Sequence, residues 1–224
     1  MSVTGVKPKS SIDETLTKIN AAIKNLNKTL SDTLAIVNRM TKDKRRVFYK
    51  CNDCGNVGYT YKRAWRRQIC IRCGSRNLSR LTPEEFVEEK TRQLKAEYST
   101  RKKYLMLLRD FVAFLKQYDW YKDKVEFRDV GWGEVVFEEP SYITYNGSTG
   151  RDKEVYVLFH YFGKMEKEVL DKLVELAKKY GFNMEVVVDG RLDHCRFSKE
   201  DMEKMGFRKS QFMYYKMYVK ATEN

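Results

Sequence analysis

Apolar side chains recur at every third or fourth position from Ile12 to Met40, and this is the first regular pattern in the chain. A spacing that averages about 3.5 residues forms one stripe along an α-helix. Thr33 is the polar member of that stripe. The pattern predicts a coiled-coil-forming helix over residues 12–41, preceded by a disordered arm over residues 1–11. The stripe can pair with a second copy of the chain or pack on its own domain, and the sequence leaves both interpretations open.

A second helical pattern begins at Thr82, which is followed by Pro83, Glu84 and Glu85. Threonine caps a helix, proline suits the first helical position, and a glutamate three residues after the cap completes a capping box. The apolar spacing then continues without Pro or Gly, so the helix is predicted over residues 82–119. Two long helices that flank a short module favour an antiparallel helical hairpin with the module at its tip.

The apolar period falls to two residues after Lys124. This period and the turn residues predict strands over residues 124–130, 134–137, 142–145, 154–161, 183–188 and 210–220. Asn146-Gly147 is a strong turn signal. Helices are predicted over residues 164–180 and from Ser198 to Gly206. The order of these elements predicts an α/β domain over residues 121–224 and a multi-domain α+β protein as a whole.

Four of the five cysteines lie between the two long helices, in two Cys-x2-Cys pairs, each followed by a glycine. Two residues between thiolates let one tight turn present both sulfurs to one metal, and the glycine can aim backbone N–H groups at the sulfurs. The spacing predicts a closed tetrahedral site for one structural Zn²⁺. An iron site or a redox dithiol uses similar pairs, but a redox pair usually occurs once, beside a βαβ pattern that is missing here. The predicted ligands are Cys51, Cys54, Cys70 and Cys73.

The cysteine spacing resembles that of a zinc ribbon, a small three-stranded β module common in transcription and translation proteins. The resemblance covers residues 42–80 only, so it implies a module and does not extend to the rest of the chain.

Positive charge is concentrated on the same segment. The chain has a net charge of +13, from 44 Lys and Arg against 31 Asp and Glu. Residues 42–80 hold twelve Lys or Arg and two acids, a local net of +10, whereas residues 121–224 hold eighteen basic and nineteen acidic residues. A local excess of one sign this large favours a polyanionic partner.

The basic side chains of this segment are interleaved with aromatic ones. The planar arginine fork can donate two hydrogen bonds to a phosphate, and aromatic rings can stack on bases. The alternative is that the rings cover the metal site and the charges form a solvated face. The nucleic-acid interpretation assigns contact to Arg45, Arg46, Lys50, Lys62, Arg63, Trp65, Arg66, Arg67, Arg72 and Arg76.

The element order of the C-terminal domain and the Glu-Lys-Met-Gly-Phe segment at residues 203–207 are similar to the C-terminal half of GNAT-type N-acetyltransferases. The resemblance implies an acetyl-CoA loop at residues 160–165. His160 and Met165 stand where that family has a basic or amide residue and a second glycine. The family's general-acid tyrosine is matched by Met202, which cannot donate a proton. The resemblance therefore implies an acetyltransferase-like fold without the catalytic and cofactor-binding residues.

The sequence constrains other catalytic mechanisms and the cellular compartment less directly. Asp193, His194 and Cys195 are consecutive, and on an extended segment consecutive side chains point in alternate directions and form no relay. No apolar run approaches the roughly 18 residues needed to cross a bilayer, and the N-terminus is polar. With metal-type cysteine spacing, these features predict an intracellular protein, cytoplasmic or nucleoid-associated, with no membrane partner.

Together the patterns favour a non-enzymatic zinc-ribbon protein that binds nucleic acid, DNA in the first instance, or acts in transcription. A protein such as RNA polymerase and a second copy of the chain, through residues 12–40, are further partners that the sequence leaves open. Two other functions also stay open. One is an acetyltransferase-like enzyme targeted by its zinc ribbon, and the other is a structural protein of virions or chromatin.

Overall fold

The chain forms helices and sheets in a mixed order. A computed structural model describes residues 11–137, 142–147, 155–161, 167–189, 198–209 and 214–220. The helices are α1 (Ile12–Met40), α2 (Pro83–Leu115), α3 (Lys167–Tyr180) and α4 (Lys199–Lys204). The strands are β1 (Arg46–Cys51), β2 (Val57–Tyr61), β3 (Leu78–Leu81), β4 (Glu126–Arg128), β5 (Glu134–Val136), β6 (Tyr142–Gly147), β7 (Val155–Tyr161), β8 (Asn183–Asp189), β9 (Arg208–Lys209) and β10 (Tyr214–Val219). Short 3₁₀ helices occupy Lys62–Arg67 and Asp119–Tyr121. The mixed helix and sheet content agrees with the α+β class expected from the sequence.

The described residues divide into two compact units that share both long helices. One unit contains residues 24–102, which include the C-terminal part of α1, strands β1 to β3 and the N-terminal part of α2. The other contains residues 11–23, residues 103–147 and the described residues that follow. The sequence-based division treats the helices as separate segments, whereas in the structure each helix contributes to both units.

Residues 46–81, which we call the four-cysteine module, form a three-stranded antiparallel sheet in the order β2-β1-β3. Phe48 and Val57 on this sheet are buried in one cluster with Val37 of α1 and Phe86 of α2. The rings of Phe48 and Phe86 stack with their centroids 4.3 Å apart. Burial of these apolar side chains fixes the strands of the module to the ends of the two helices.

Helix α1 buries the stripe that the sequence predicts. Ile12, Ile19, Leu26 and Val37 expose at most 5% of their surface. The hydroxyl of Thr33, the polar member of the stripe, lies 3.4 Å from the hydroxyl of Tyr98. Because one copy of the chain covers the stripe, the structure favours packing of α1 on its own chain. Pairing of α1 with a second copy stays a prediction.

The start of α2 has the predicted capping box. The amide of Glu85 donates to Thr82 Oγ1 at 3.1 Å, and the amide of Thr82 donates to Glu85 Oε2 at 2.8 Å. The helix ends at Leu115 rather than at residue 119, because the next amides bond to carbonyls three residues back. One of these bonds joins the Tyr118 amide to the Leu115 carbonyl at 3.1 Å. The predicted helix is therefore confirmed with a shorter C-terminal end.

The second unit contains a seven-stranded sheet in the order β4-β5-β6-β7-β8-β10-β9. Neighbouring strands are antiparallel except β7 and β8, which are parallel. Parallel neighbours need a crossover connection, and α3 lies in the connection between them. The strand-helix-strand-helix-strand order predicted from the sequence is confirmed, and among the described residues the short strand β9 is added to it. The buried face of α3 consists of Val169, Leu170, Leu173, Leu176 and Ala177.

The turn predicted at Asn146-Gly147 is wrong. These two residues end strand β6, where Asn146 lies opposite Tyr156 and Gly147 opposite Val155. Because both residues pair with β7, strand pairing overrides the local turn preference of the dipeptide.

In the second unit, Asp110 of α2 is held by three donor side chains. Its carboxylate accepts hydrogen bonds from the Tyr180 hydroxyl at 2.6 Å, from Lys179 Nζ at 3.0 Å and from Arg109 Nη2 at 2.7 Å. Burial raises the pKa of Asp110, but the hydrogen bonds outweigh burial and hold this pKa at about 2. A folded pKa below the ordinary 3.8 means that the ionised carboxylate stabilises the fold above about pH 4. That contribution is lost as the pH falls towards 2.

We therefore expect Asp110→Asn to lower the free energy of unfolding by about 2 kcal/mol at pH 7 and by much less near pH 2. Urea unfolding followed by circular dichroism at both pH values measures the difference. Asp123→Asn removes an exposed carboxylate and is the matched control, with an expected change within about 0.5 kcal/mol. Equal destabilisation by Asp110→Asn at the two pH values would show that the carboxylate charge is not what stabilises this unit.

Candidate metal centre and cationic surface

The four cysteines of the two Cys-x2-Cys pairs converge on one point of the four-cysteine module. Their sulfur atoms all lie within 4.8 Å of one another. Cys51 Sγ is 3.6 Å from Cys73 Sγ, and Cys54 Sγ is 3.6 Å from Cys70 Sγ, so each close contact joins one pair to the other. A disulfide requires about 2.05 Å between sulfurs, so none of these thiols is oxidised.

The sulfur positions fit a tetrahedral metal ion. Four thiolates at about 2.3 Å from a central zinc lie about 3.8 Å from one another, close to the two 3.6 Å separations. Cys51 and Cys70 are buried, Cys54 is half-buried and Cys73 is exposed. The donor set of four sulfurs suits soft or borderline ions such as zinc and iron and does not suit magnesium or calcium.

Each cysteine pair is built on the same turn. The Gly55 amide donates to the Cys51 carbonyl and the Gly74 amide to the Cys70 carbonyl, both at 2.8 Å. Gly55 has φ of 71° and Gly74 has φ of 74°, a left-handed conformation that glycine adopts at little cost. Cys54 and Cys73 are each two residues ahead of an amide that hydrogen-bonds to their sulfur. The glycines at these positions have the role predicted for them.

A polar clasp joins the two cysteine turns. Asp53 in the first turn accepts hydrogen bonds from the Ser75 hydroxyl and, at 2.7 Å, from Asn77 Nδ2. These hydrogen bonds lower the pKa of Asp53. The Asn52 amide donates to the Asn77 carbonyl at 2.9 Å. The clasp aligns the two cysteine turns, so these hydrogen bonds, and not a metal alone, bring the four sulfurs together.

Helix α2 holds the first cysteine turn from the other side. Gln93 Nε2 donates to the Gly55 carbonyl at 2.7 Å, and Lys90 Nζ donates to the Val57 carbonyl at 3.3 Å. Lys50 Nζ lies 3.0 Å from Glu89 Oε1. Three side chains of α2 therefore bind strands β1 and β2 and the turn between them, which the sequence patterns did not reveal.

The free thiols differ in acidity. Burial raises the pKa of Cys70, but the amides of Cys73 and Arg72 donate to its sulfur and lower its pKa to about 7. Burial raises the pKa of Cys54 to about 12. A cluster that still carries protons at neutral pH must release them when a metal binds, so metal affinity falls as the pH is lowered.

Both acids of residues 42–80 are already engaged. Asp43 lies 3.0 Å from Arg45 Nε and 3.6 Å from Arg46 Nε. The hydrogen bond from Arg45 is the main reason that the pKa of Asp43 is lowered to about 2. Asp53 is occupied by Ser75 and Asn77. Neither carboxylate is left to neutralise the remaining cations of the module.

The ten residues predicted to contact nucleic acid fall into three groups. Arg45, Arg46 and Lys50 are ion-paired, to Asp43 or to Glu89. Trp65 is half-buried. The other six are exposed, and within the described ranges no ion pair involves them. We call these six the cationic surface: Lys62, Arg63, Arg66, Arg67, Arg72 and Arg76.

The 3₁₀ helix explains why Arg63 and Arg66 of this surface face solvent together. With three residues per turn, Arg63 and Arg66 eclipse one another on the outer side. Ala64 and Trp65 are less exposed and lie on the inner side. The segment ends on Arg67 and contains no acid, so the charge of its outer side is uncompensated.

Trp65 connects the 3₁₀ helix to the sheet. Its ring centroid lies 6.4 Å from that of buried Tyr49, and the Arg80 guanidinium sits 4.8 Å from the Trp65 ring centroid. These contacts give Trp65 a structural role, while its contact with a base stays a prediction. Arg80 lies beside the cationic surface and was missed as a candidate, because its pairing opposite Tyr49 depends on strand register.

Two isoleucines beside a cysteine ligand are also exposed. Ile71 exposes 84% of its surface and Ile69 exposes 44%, on either side of buried Cys70. The sequence patterns did not single out these residues, since isoleucine beside a cysteine usually indicates burial.

Among the described residues, the positions compared with the acetyltransferase family lie in β7 and around α4. Met202 is fully buried in α4, and Ser198 caps α4 in a capping box with Asp201. His160 lies in β7, and the rest of the candidate acetyl-CoA loop, residues 162–165, is outside the described residues. The Asp-His-Cys segment at residues 193–195 is outside them as well.

Comparison with known proteins gives no relative. No protein-family model, no curated protein and no solved structure matches the chain. The acetyltransferase resemblance therefore has no family match behind it. Within the described residues, no helix is both long enough and apolar enough to cross a membrane. The four-cysteine cluster and the cationic surface beside it are the features from which a function can be argued.

Proposed function

We propose that the four-cysteine module is a zinc ribbon that binds one structural Zn²⁺ and contacts the phosphate backbone of nucleic acid. The observation that carries this proposal is the set of six exposed cations that form no ion pair within the described ranges and lie in the same module as the four-sulfur site. The zinc supplies no chemistry to a substrate. It holds Cys51, Cys54, Cys70 and Cys73 together, and these fix the turns that carry Arg72 and Arg76.

Phosphate is the ligand that best matches this surface. Five of its six cations are arginines that form no ion pair within the described ranges, and a guanidinium can bind a phosphate through two parallel hydrogen bonds. Like charges at this density repel one another unless a polyanion neutralises them. Since the arrangement offers cations to a backbone and no evident base-reading groups, we infer binding without sequence preference. Duplex DNA is the proposed partner.

The salt dependence of binding tests this function. Neutralisation of about five phosphates should give a slope of roughly −4 to −5 in a plot of log affinity against log salt concentration. Fluorescence anisotropy with a labelled duplex of about 20 base pairs, at several KCl concentrations, measures the slope. Two duplexes of unrelated sequence should bind with equal affinity. A slope near zero, or no binding at low salt, would overturn the proposal and direct the cationic surface to an acidic protein instead.

The second unit has no site that we assign. Its strand and helix order supports the acetyltransferase-like fold as an interpretation, yet Met202 is buried where that family places its acid. Fold likeness alone does not carry an activity. The nucleic-acid proposal therefore rests on residues 46–81 and needs nothing from the seven-stranded sheet.

A further inference from the structure

A crevice opens in the unit of residues 24–102, where the end of α1, strand β1 and the start of α2 meet. Its volume is about 420 Å³, within the range of small-ligand pockets. Val47, Phe48, Leu81 and Pro83 form an apolar floor. A flat apolar group would bury surface against this floor and gain the corresponding free energy.

The rim of the crevice is cationic. Lys44 and Lys62 line it and are exposed, and within the described ranges no ion pair involves either of them. Asp43 also lines the crevice, but it is engaged by two arginines. An apolar floor beneath two unpaired ammonium groups suits a ligand that combines an aromatic ring with an anionic group.

One wall of the crevice is fixed in place by its own contacts. Arg46 lines it, donates from Nη1 to the Met40 carbonyl at 3.3 Å and lies 4.6 Å from the ring centroid of Tyr59. The Lys62 amide donates to the Arg45 carbonyl at 2.9 Å. A crevice with such walls needs little reorganisation to receive a ligand, which favours binding.

The crevice is continuous with the cationic surface. Lys62 is both a rim residue and the first residue of the 3₁₀ helix that carries Arg63, Arg66 and Arg67. We propose that the crevice receives one unstacked nucleotide of the bound strand, with its base on the apolar floor and its phosphate between Lys44 and Lys62. This inference rests on the proposed function, because it assumes that the strand lies along the cationic surface.

A paired base must leave its stack before it can enter such a site, whereas an unpaired base is already free. The protein should therefore bind a duplex that carries a short single-stranded overhang about fivefold to tenfold more tightly than the blunt duplex. Competition anisotropy at one fixed salt concentration compares the two probes. Thr41→Trp fills the mouth of the crevice and should abolish the preference while leaving affinity for the blunt duplex unchanged within about twofold.

Lys44→Gln should reduce the preference, because it removes one of the two cations at the phosphate position. Lys42→Gln is the matched control, since Lys42 is exposed nearby but does not line the crevice. Circular dichroism and metal content establish that each variant is folded. Equal binding of both probes by the unaltered protein, with the salt slope intact, would overturn the crevice proposal and leave the proposed function standing.

Two further results would each overturn the crevice inference. If neither probe binds the unaltered protein, the proposed function fails and this inference fails with it. A free mononucleotide at millimolar concentration should compete for the crevice and remove the overhang preference, and a preference that persists would place the single-stranded contact elsewhere and overturn the inference.

Discussion

Cys51→Ser is expected to abolish metal binding and to disorder the two cysteine turns and the 3₁₀ helix of the four-cysteine module. A serine hydroxyl at neutral pH is not a thiolate, so the tetrahedral donor set loses one of its four ligands. Structural zinc contributes about 10 to 16 kcal/mol in small zinc-binding peptides, as much as the whole stability of a typical domain. Loss of the metal therefore removes more free energy than the segment can supply by other contacts.

The burial pattern is the reason that we expect this segment to depend on a bound metal. From residue 62 to residue 77, Cys70 is the one buried side chain in a fully described stretch. Phe48 and Val57, in contrast, are packed against the helices. We expect the sheet residues next to α2 to keep part of their structure while the turns and the 3₁₀ helix become disordered. Hydrogen exchange of amides in the two regions measures this difference.

Zinc content per chain is the direct readout, together with the thiolate absorption of the cobalt-substituted protein. The unaltered protein should hold one ion, and Cys51→Ser should hold none after dialysis. Cys195→Ser is the matched control, because it removes the one cysteine that lies outside the two pairs. One ion bound by Cys51→Ser with unchanged hydrogen exchange would show that the cluster is not a structural metal site.

The cysteine site could be predicted because it depends on local spacing. Two residues between ligands and a glycine after each pair determine a turn whatever the remainder of the chain does. The capping box at Thr82 and Glu85 and the stripe of α1 were predictable for the same reason. Each of these signals lies within a few consecutive residues, where propensity and geometry act directly.

The local sequence could not predict which basic residues of the module form ion pairs. Lys50 and Arg63 are both basic residues of the module, but Glu89 of α2 pairs with Lys50 and nothing in the described ranges pairs with Arg63. That difference arises from contacts between residues far apart in sequence. The register that places Arg80 opposite Tyr49 is set in the same way, and so is the pairing that carries β6 through Asn146-Gly147.

Simultaneous replacement of Arg63, Arg66 and Arg67 by alanine is expected to weaken binding to duplex DNA by about two to three orders of magnitude near 100 mM salt. Each phosphate contact contributes about 0.9 to the slope of log affinity against log salt concentration, so three lost contacts lower the slope by about 2.7. At about 0.1 M salt, a slope lower by about 2.7 corresponds to an affinity lower by a factor of about 500. All sequences should be affected alike, because phosphates carry no sequence information.

The three arginines are exposed and unpaired within the described ranges, so their removal should leave zinc content and circular dichroism unchanged. Replacement of Lys178, Lys204 and Lys220 by alanine removes the same charge from exposed positions outside the module and is the matched control. If binding reflected only the net charge of +13, the two triple variants would weaken it equally. A loss confined to the arginine variant would place the contact on the 3₁₀ helix, and equal losses would refute that placement. Unaltered binding in both would show that the phosphates are held elsewhere on the chain.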